Sequence, residues 1–223
     1  MWLNTQSRSF AVPTPLPATN GNTLVSIDGA LYSLFAWLPG ARPLPTPGQA
    51  IAFGQALGEL HTQLAPFPTA PRPGMASYGA LGQIHPALPH PERLDLPDPA
   101  ASAVLSWWRR ELRELEGFIA GPYRQLPRQV VHGDVAFGNS LFAGETLVAL
   151  LDFEFAGPDA RVIDLASALW GLLSVERGVA ALPLAQALVT GYRRVVALRD
   201  DERAALPTMI RLRNVVHTIW WVG

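Results

Sequence analysis

No lysine occurs anywhere in this 223-residue chain; all 17 basic residues are arginine. That removes every mechanism that depends on a lysine amine. Cysteine is absent too, which excludes disulfides, thiolate metal sites and a cysteine nucleophile. No block of like charge is long enough to advertise nucleic acid or an anionic membrane, and the formal net charge is only -1. Apolar runs are short. The most suggestive, "VAALPLAQALV", is broken by Pro183 and falls well below the ~18 residues of a membrane span. The N-terminus shows no basic segment followed by an apolar core, so no signal peptide is expected, and a cytoplasmic location fits.

What remains is a globular composition, 49% apolar and 16% charged, in a length that suits one large domain or two small lobes. Residues 1–23 read as extended, proline-rich chain. "TLVSIDGALYSLFAWL" predicts a β-hairpin, because "DG" supplies the positive φ angles of a tight type I′ turn. Thr46, Pro47 and Gln49 predict a capped helix start, with Phe53, Leu57, Leu60 and Leu64 at helical spacing over 47–65. Residues 66–100 hold many prolines and no period, which predicts a long surface loop. An apolar stripe from Val104 to Ile119 predicts a helix over 101–120. Short strands follow in "RQVVH", "NSLF" and "TLVALLD", with "AGE" as a turn. Helices are predicted near 161–175, 184–198 and 206–222. The order implies an α+β fold. The seven tryptophans read as core rather than as a base-stacking platform, since no basic stripe accompanies them.

The central stretch "VVHGDVAFGNSLF" places a carboxylate and an amide oxygen on one compact loop, His132-Gly133-Asp134 and Asn139. Asp152 ends the next strand, and a hairpin would bring it near Asn139. Moving a phosphoryl group to a hydroxyl needs such groups: a carboxylate to accept the hydroxyl proton, and oxygen ligands for Mg²⁺. The pattern H-G-D-V-A-F-G-N followed by D-F-E, with "VIDLASALW" behind it, resembles the aminoglycoside phosphotransferase and choline kinase-like family of small-molecule kinases, homoserine kinase-like members included. The resemblance implies a protein-kinase-like fold, with residues 1–40 as a remnant of the N-lobe and 41–223 as a helical C-lobe. It implies Asp134 as catalytic base, Asn139 and Asp152 as Mg²⁺ ligands, and ATP as phosphoryl donor. It further implies that His132 braces the loop and Asp164 hydrogen-bonds the loop backbone. Backbone groups near Phe35 and Trp37, in "LYSLFAWLPG", would meet adenine. The acceptor would be a hydroxyl on an amino alcohol, amino acid or aminoglycoside.

The chain departs from that family in one region. Only about 23 residues precede the hairpin, with no glycine-rich loop and no lysine to anchor ATP. At an effective dielectric near 20, one missing cation about 4 Å from the phosphates forfeits on the order of 4 kcal/mol. The expectation is therefore a weak or inactive kinase, with a non-catalytic ligand-binding module as the alternative. A metal-dependent phosphoesterase would need clustered histidines, and only His132 lies near the acids. The unpaired edge of the hairpin is expected to invite homodimerisation.

Overall fold

The computed structural model describes residues 3, 6, 8–68, 76–96, 98–176 and 178–223. Three antiparallel strand pairs and six α-helices are laid out in the order β1 (Val25–Ile27), β2 (Ala30–Tyr32), α1 (Pro47–Leu64), α2 (Ser102–Ala120), α3 (Pro122–Gln125), β3 (Arg128–Val131), β4 (Ser140–Ala143), β5 (Thr146–Leu150), β6 (Gly157–Ala160), α4 (Val162–Glu176), α5 (Leu182–Arg193) and α6 (Asp200–Val222) among the described residues. The fold is α+β, as the sequence implies.

The helix α4 is the centre of the molecule. It is apolar around most of its circumference, the signature of a helix packed on several sides. Leu165, Ala168, Leu169 and Leu172 belong to a core shared with α1, α5 and the β4–β5 hairpin. Val162, Ile163 and Ala166 belong to a second core with α2, α6 and Val131 of β3. The helices α1 and α5 approach closely because glycines face each other's backbone: a Cβ on Gly54 would meet the Leu188 carbonyl oxygen at 2.1 Å, and one on Gly191 would meet that of Ile51 at 2.0 Å.

The β1–β2 turn has Asp28 at φ 51° and Gly29 at φ 81°, the expected I′ geometry. Thr46 caps α1, its hydroxyl accepting from the Gln49 N–H at 3.2 Å. The expected reciprocal bond is not made. Gln49 instead accepts from the Leu44 N–H and donates to the Gly144 carbonyl, tying the helix start to the β4–β5 turn.

Three features depart from the sequence reading. The strand β6 pairs with β3, Val131 opposite Gly157 and Arg128 opposite Ala160, although "GPDA" contains residues that normally argue against a strand. Helix α6 begins at Asp200 and runs through Pro207, because acids fill its first turn and Glu202 accepts from the Arg199 N–H at 3.0 Å. Of the tryptophans in the described residues, Trp108 is the buried one; Trp37, Trp107, Trp220 and Trp221 are exposed. Core positions went to Leu, Ile and Ala, and most indoles were left for surfaces and the cleft.

The segment before β1 is more than a polar lead-in. Phe10 and Val12 are buried in the first core. Ala11 forms a parallel bridge with β5, donating to the Val148 carbonyl at 2.8 Å and accepting from the Leu150 N–H at 3.0 Å. On the other flank, Ala41 exchanges two backbone hydrogen bonds with Phe142 of β4. The β4–β5 ribbon is thus bordered on both sides by chain that precedes α1. The expected loop over 66–100 is anchored where described: Leu81 is buried and the Trp108 indole donates to the Pro91 carbonyl at 2.8 Å. Residues 69–75 and 97 of that loop lie outside the described residues.

Candidate active site

The loop that follows β3 is pinned from beneath. Asp164, in the first turn of α4, is fully buried, and its carboxylate accepts from the backbone N–H of His132 at 2.7 Å and of Gly133 at 2.9 Å. It also accepts from the His61 Nε2–H at 3.0 Å, while the Tyr192 hydroxyl donates to His61 Nδ1 at 2.8 Å. Burial alone would push the Asp164 carboxyl up; the His61 hydrogen bond and the donors around it more than offset this and hold it below the ordinary range. A chain from α5 through α1 to α4 therefore fixes where the loop begins.

Gly133 has φ 82°, and a Cβ there would lie 2.2 Å from the Phe155 carbonyl oxygen. No other residue fits the place. The next two groups complete the loop. His132 donates from Nε2 to the Leu151 carbonyl at 2.8 Å, bracing the loop against the end of β5, and its Nδ1 accepts from the Asp134 N–H at 3.3 Å. The Asn139 amide donates from Nδ2 to the Asp134 carbonyl at 3.1 Å, which leaves Oδ1 as its acceptor atom. The Asn139 carbonyl accepts from the Leu151 N–H at 2.8 Å, which brings Asp152 alongside; Asp152 itself adopts a left-handed conformation at φ 67°.

Asp134, Asn139, Asp152 and Glu154 all line one cleft of about 640 Å³. Its lining is also aromatic: Tyr78, Phe155, Trp170, Trp220 and Trp221. Burial pushes the Asp134 carboxyl above the ordinary range, and the nearby charge of Asp152 adds to the rise; Arg213 draws it partly back. The structure thus gathers Asp134, Asn139 and Asp152 around one cavity, with His132 and Asp164 supporting them. Phe35 and Trp37 are not among the residues lining it, and both side chains are exposed.

No group of three or more His, Cys, Asp or Glu side chains suited to hold a metal occurs among the described residues. Two oxygen donors, the Asn139 amide and the Asp152 carboxylate, fit a Mg²⁺ ion that keeps phosphate and water as its other ligands; they do not fit a metal caged by protein alone.

Two residues of the cleft escaped the sequence reading. The Tyr78 hydroxyl donates to the Gly133 carbonyl, and the backbone N–H of Tyr78 is held by Asp159 at 2.9 Å. Arg213 donates from Nη2 to Asp134 Oδ1 at 2.5 Å. Neither lies near the motif in sequence; only the folded chain brings them there.

Comparison with known proteins gives the family and the fold. Residues 2–199 match the Phosphotransferase enzyme family (APH). A homoserine kinase of Mesorhizobium japonicum is 28% identical over 92% of this chain, and one of Methylobacterium radiotolerans is 30% identical over 92%. The chain spans 62% and 61% of those two proteins, so it is shorter than the curated relatives it matches. Among solved structures, a microcompartment-associated aminopropanol kinase superposes with a TM-score of 0.70 at 22% identity, covering 98% of this chain and 69% of that one. Amicoumacin kinase hAmiN superposes equally well, with a TM-score of 0.70 at 17% identity, covering 98% and 66%. These likenesses show the kinase-like fold. With the pinned His-Gly-Asp loop, the acid-lined cleft and a family match over most of the length, the chain belongs to the phosphotransferase enzyme family.

Proposed function

We propose that this chain carries the catalytic half of an ATP-dependent small-molecule kinase that phosphorylates a hydroxyl. The observation that carries the reading is the position of Asp134, held at the cleft by a loop whose first backbone amides are tied to Asp164. Asp134 would accept the proton of the attacking hydroxyl. Asn139 and Asp152 would hold Mg²⁺ against the phosphates, and bound Mg·ATP would supply the phosphoryl group. The backbone near Phe35 and Trp37 would meet adenine. His132, bonded to the Leu151 carbonyl, and Tyr78, bonded to the Gly133 carbonyl, both keep the loop in place.

The division into an N-lobe remnant over 1–40 and a C-lobe over 41–223 belongs to the same reading, with one amendment: the stretch around Phe10 and Val12 packs with the C-lobe. A lysine anchor for ATP is absent from the sequence, so turnover of this chain alone is expected to be weak. Acceptors of the amino alcohol, amino acid and aminoglycoside classes are the first to screen, given the activities named for its relatives and neighbours. The test is a coupled ADP-release assay with Mg·ATP and those acceptors. Acceptor-dependent turnover that falls by at least a hundredfold in Asp134→Ala supports the reading. Saturable Mg·ATP binding with no turnover in either protein favours a non-catalytic binding module instead.

A further inference from the structure

Arg213 is the cationic side chain of the cleft. Among the described residues that line it, no other arginine appears, and burial together with Arg213 lowers the pKa of His217 there. Arg213 is nine-tenths buried on α6, with its guanidinium 5.0 Å from the centre of the Trp170 ring and 5.9 Å from that of Tyr78. Yet its donors are mostly unused. Nη2 reaches Asp134, whereas among the described residues the buried Nε has no partner and Nη1 makes no hydrogen bond. Burying a guanidinium so poorly satisfied is costly unless something else completes it. The fork left at the tip of the guanidinium, an Nη1 hydrogen beside the second hydrogen of Nη2, is best completed by an oxyanion taken on two parallel N–H bonds.

Asp134, Asp152, Glu154 and Asp159 all line the cleft against the one arginine among its described residues, so an anion can be taken only at Arg213 itself. Asp159 is occupied by Ser77, Tyr78 and Tyr123, and Asp134 by Arg213 itself. The aromatic faces that could cradle an ammonium are those of Trp170 and Tyr78, and the arginine already sits over them. A cationic head group entering there meets a like charge. Arg213 comes from α6 and stands beside Trp170 of α4, whereas Asn139 and Asp152 flank the β4–β5 ribbon at the start of β4 and just past the end of β5. The oxyanion therefore belongs to the acceptor rather than to the phosphates.

We propose that Arg213 is a specificity-determining residue: its uncommitted guanidinium edge takes the carboxylate of a hydroxy acid while the hydroxyl of the same molecule reaches Asp134. The assignment rests on the kinase reading for the role of Asp134, but its test needs no turnover. The intact chain is titrated calorimetrically at low salt with γ-hydroxybutyrate, butanediol and choline, which differ in the sign of charge beside a primary hydroxyl. The carboxylate compound is expected to bind at least tenfold more tightly than the other two and to shift the NMR signals of the Trp170 indole and the Arg213 Nε–H. Arg213→Gln should bring it down to the level of the diol, and Arg213→Lys should retain part of the difference. Choline binding as tightly as γ-hydroxybutyrate overturns the assignment, as does unaltered carboxylate affinity in a folded Arg213→Gln. So does an absence of saturable carboxylate binding in the unmodified chain, a comparison that needs no variant to fold. Inorganic phosphate displacing the carboxylate at equal concentration overturns it too, by moving the anion to the phosphoryl group. Carboxylate binding without phosphoryl transfer to any acceptor would count against the kinase reading and leave the role of Arg213 standing.

Discussion

Asp164 has no exposure to solvent, and three donors converge on it. Because its folded pKa lies below the ordinary value, its contribution to stability is fully present above the unfolded pKa of ~3.9 and is lost as pH falls through the folded value. Asp164→Ala should cost about 3–5 kcal/mol, since it strands the His61 ring and two amides in the core. Urea unfolding at neutral pH measures that loss, and the gap between the two proteins should narrow as pH falls through the lowered folded value of Asp164. Gly133→Ala should cost about 1–3 kcal/mol by the same assay, because φ 82° and the Phe155 carbonyl leave no space for a methyl group. At this scale the motif residues were legible: His132, Asp134 and Asn139 sit within one loop, so their spacing alone reports their company. Arg213 was not, because 79 residues separate it from Asp134 and an arginine on an amphipathic helix reads as surface. Tyr78 lay hidden for the same reason, in a proline-rich stretch without period, 55 residues from its acceptor.

Helices announced themselves where one face is apolar. The bounds expected for α1, 47–65, and for α2, 101–120, match Pro47–Leu64 and Ser102–Ala120 almost to the residue, although Val104 itself faces solvent. The start of α6 did not, because Pro207 mimics a helix beginning while the true beginning is marked by Asp200, Asp201 and Glu202. Strand β6 was illegible for a different reason: its pairing with β3 is a tertiary fact, and a Gly-Pro start carries no β propensity. The α1–α5 contact gives a prediction of its own. Gly191→Ala drives a methyl group into the Ile51 carbonyl, so the helices must separate, and the midpoint of thermal unfolding should fall with a loss of about 1–3 kcal/mol. Gly117→Ala, on an open face of α2, is the matched control and should not lower it.

On the scale of the whole molecule, apolar side chains are unevenly distributed. Leu31, Leu34, Phe35 and Trp37 cluster in and just after the β1–β2 hairpin, and Trp37 is 89% exposed. A surface of that kind, beside strand edges of three residues each, should drive self-association. Light scattering is expected to show a mass rising above 24.1 kDa with concentration, and Leu31→Ser with Trp37→Ser should restore the monomer value. No helix among the described residues is long and apolar enough to cross a membrane. The two flanking segments on the β4–β5 ribbon bear on any shortened version of the chain. Trimming to the first residue of β1 looks harmless on paper, since only proline-rich sequence is discarded. It would take away the plug formed by Phe10 and Val12 and strip the cover from the Val148 carbonyl and the Leu150 amide. Such a fragment would meet its neighbours with a bare margin on the β4–β5 ribbon.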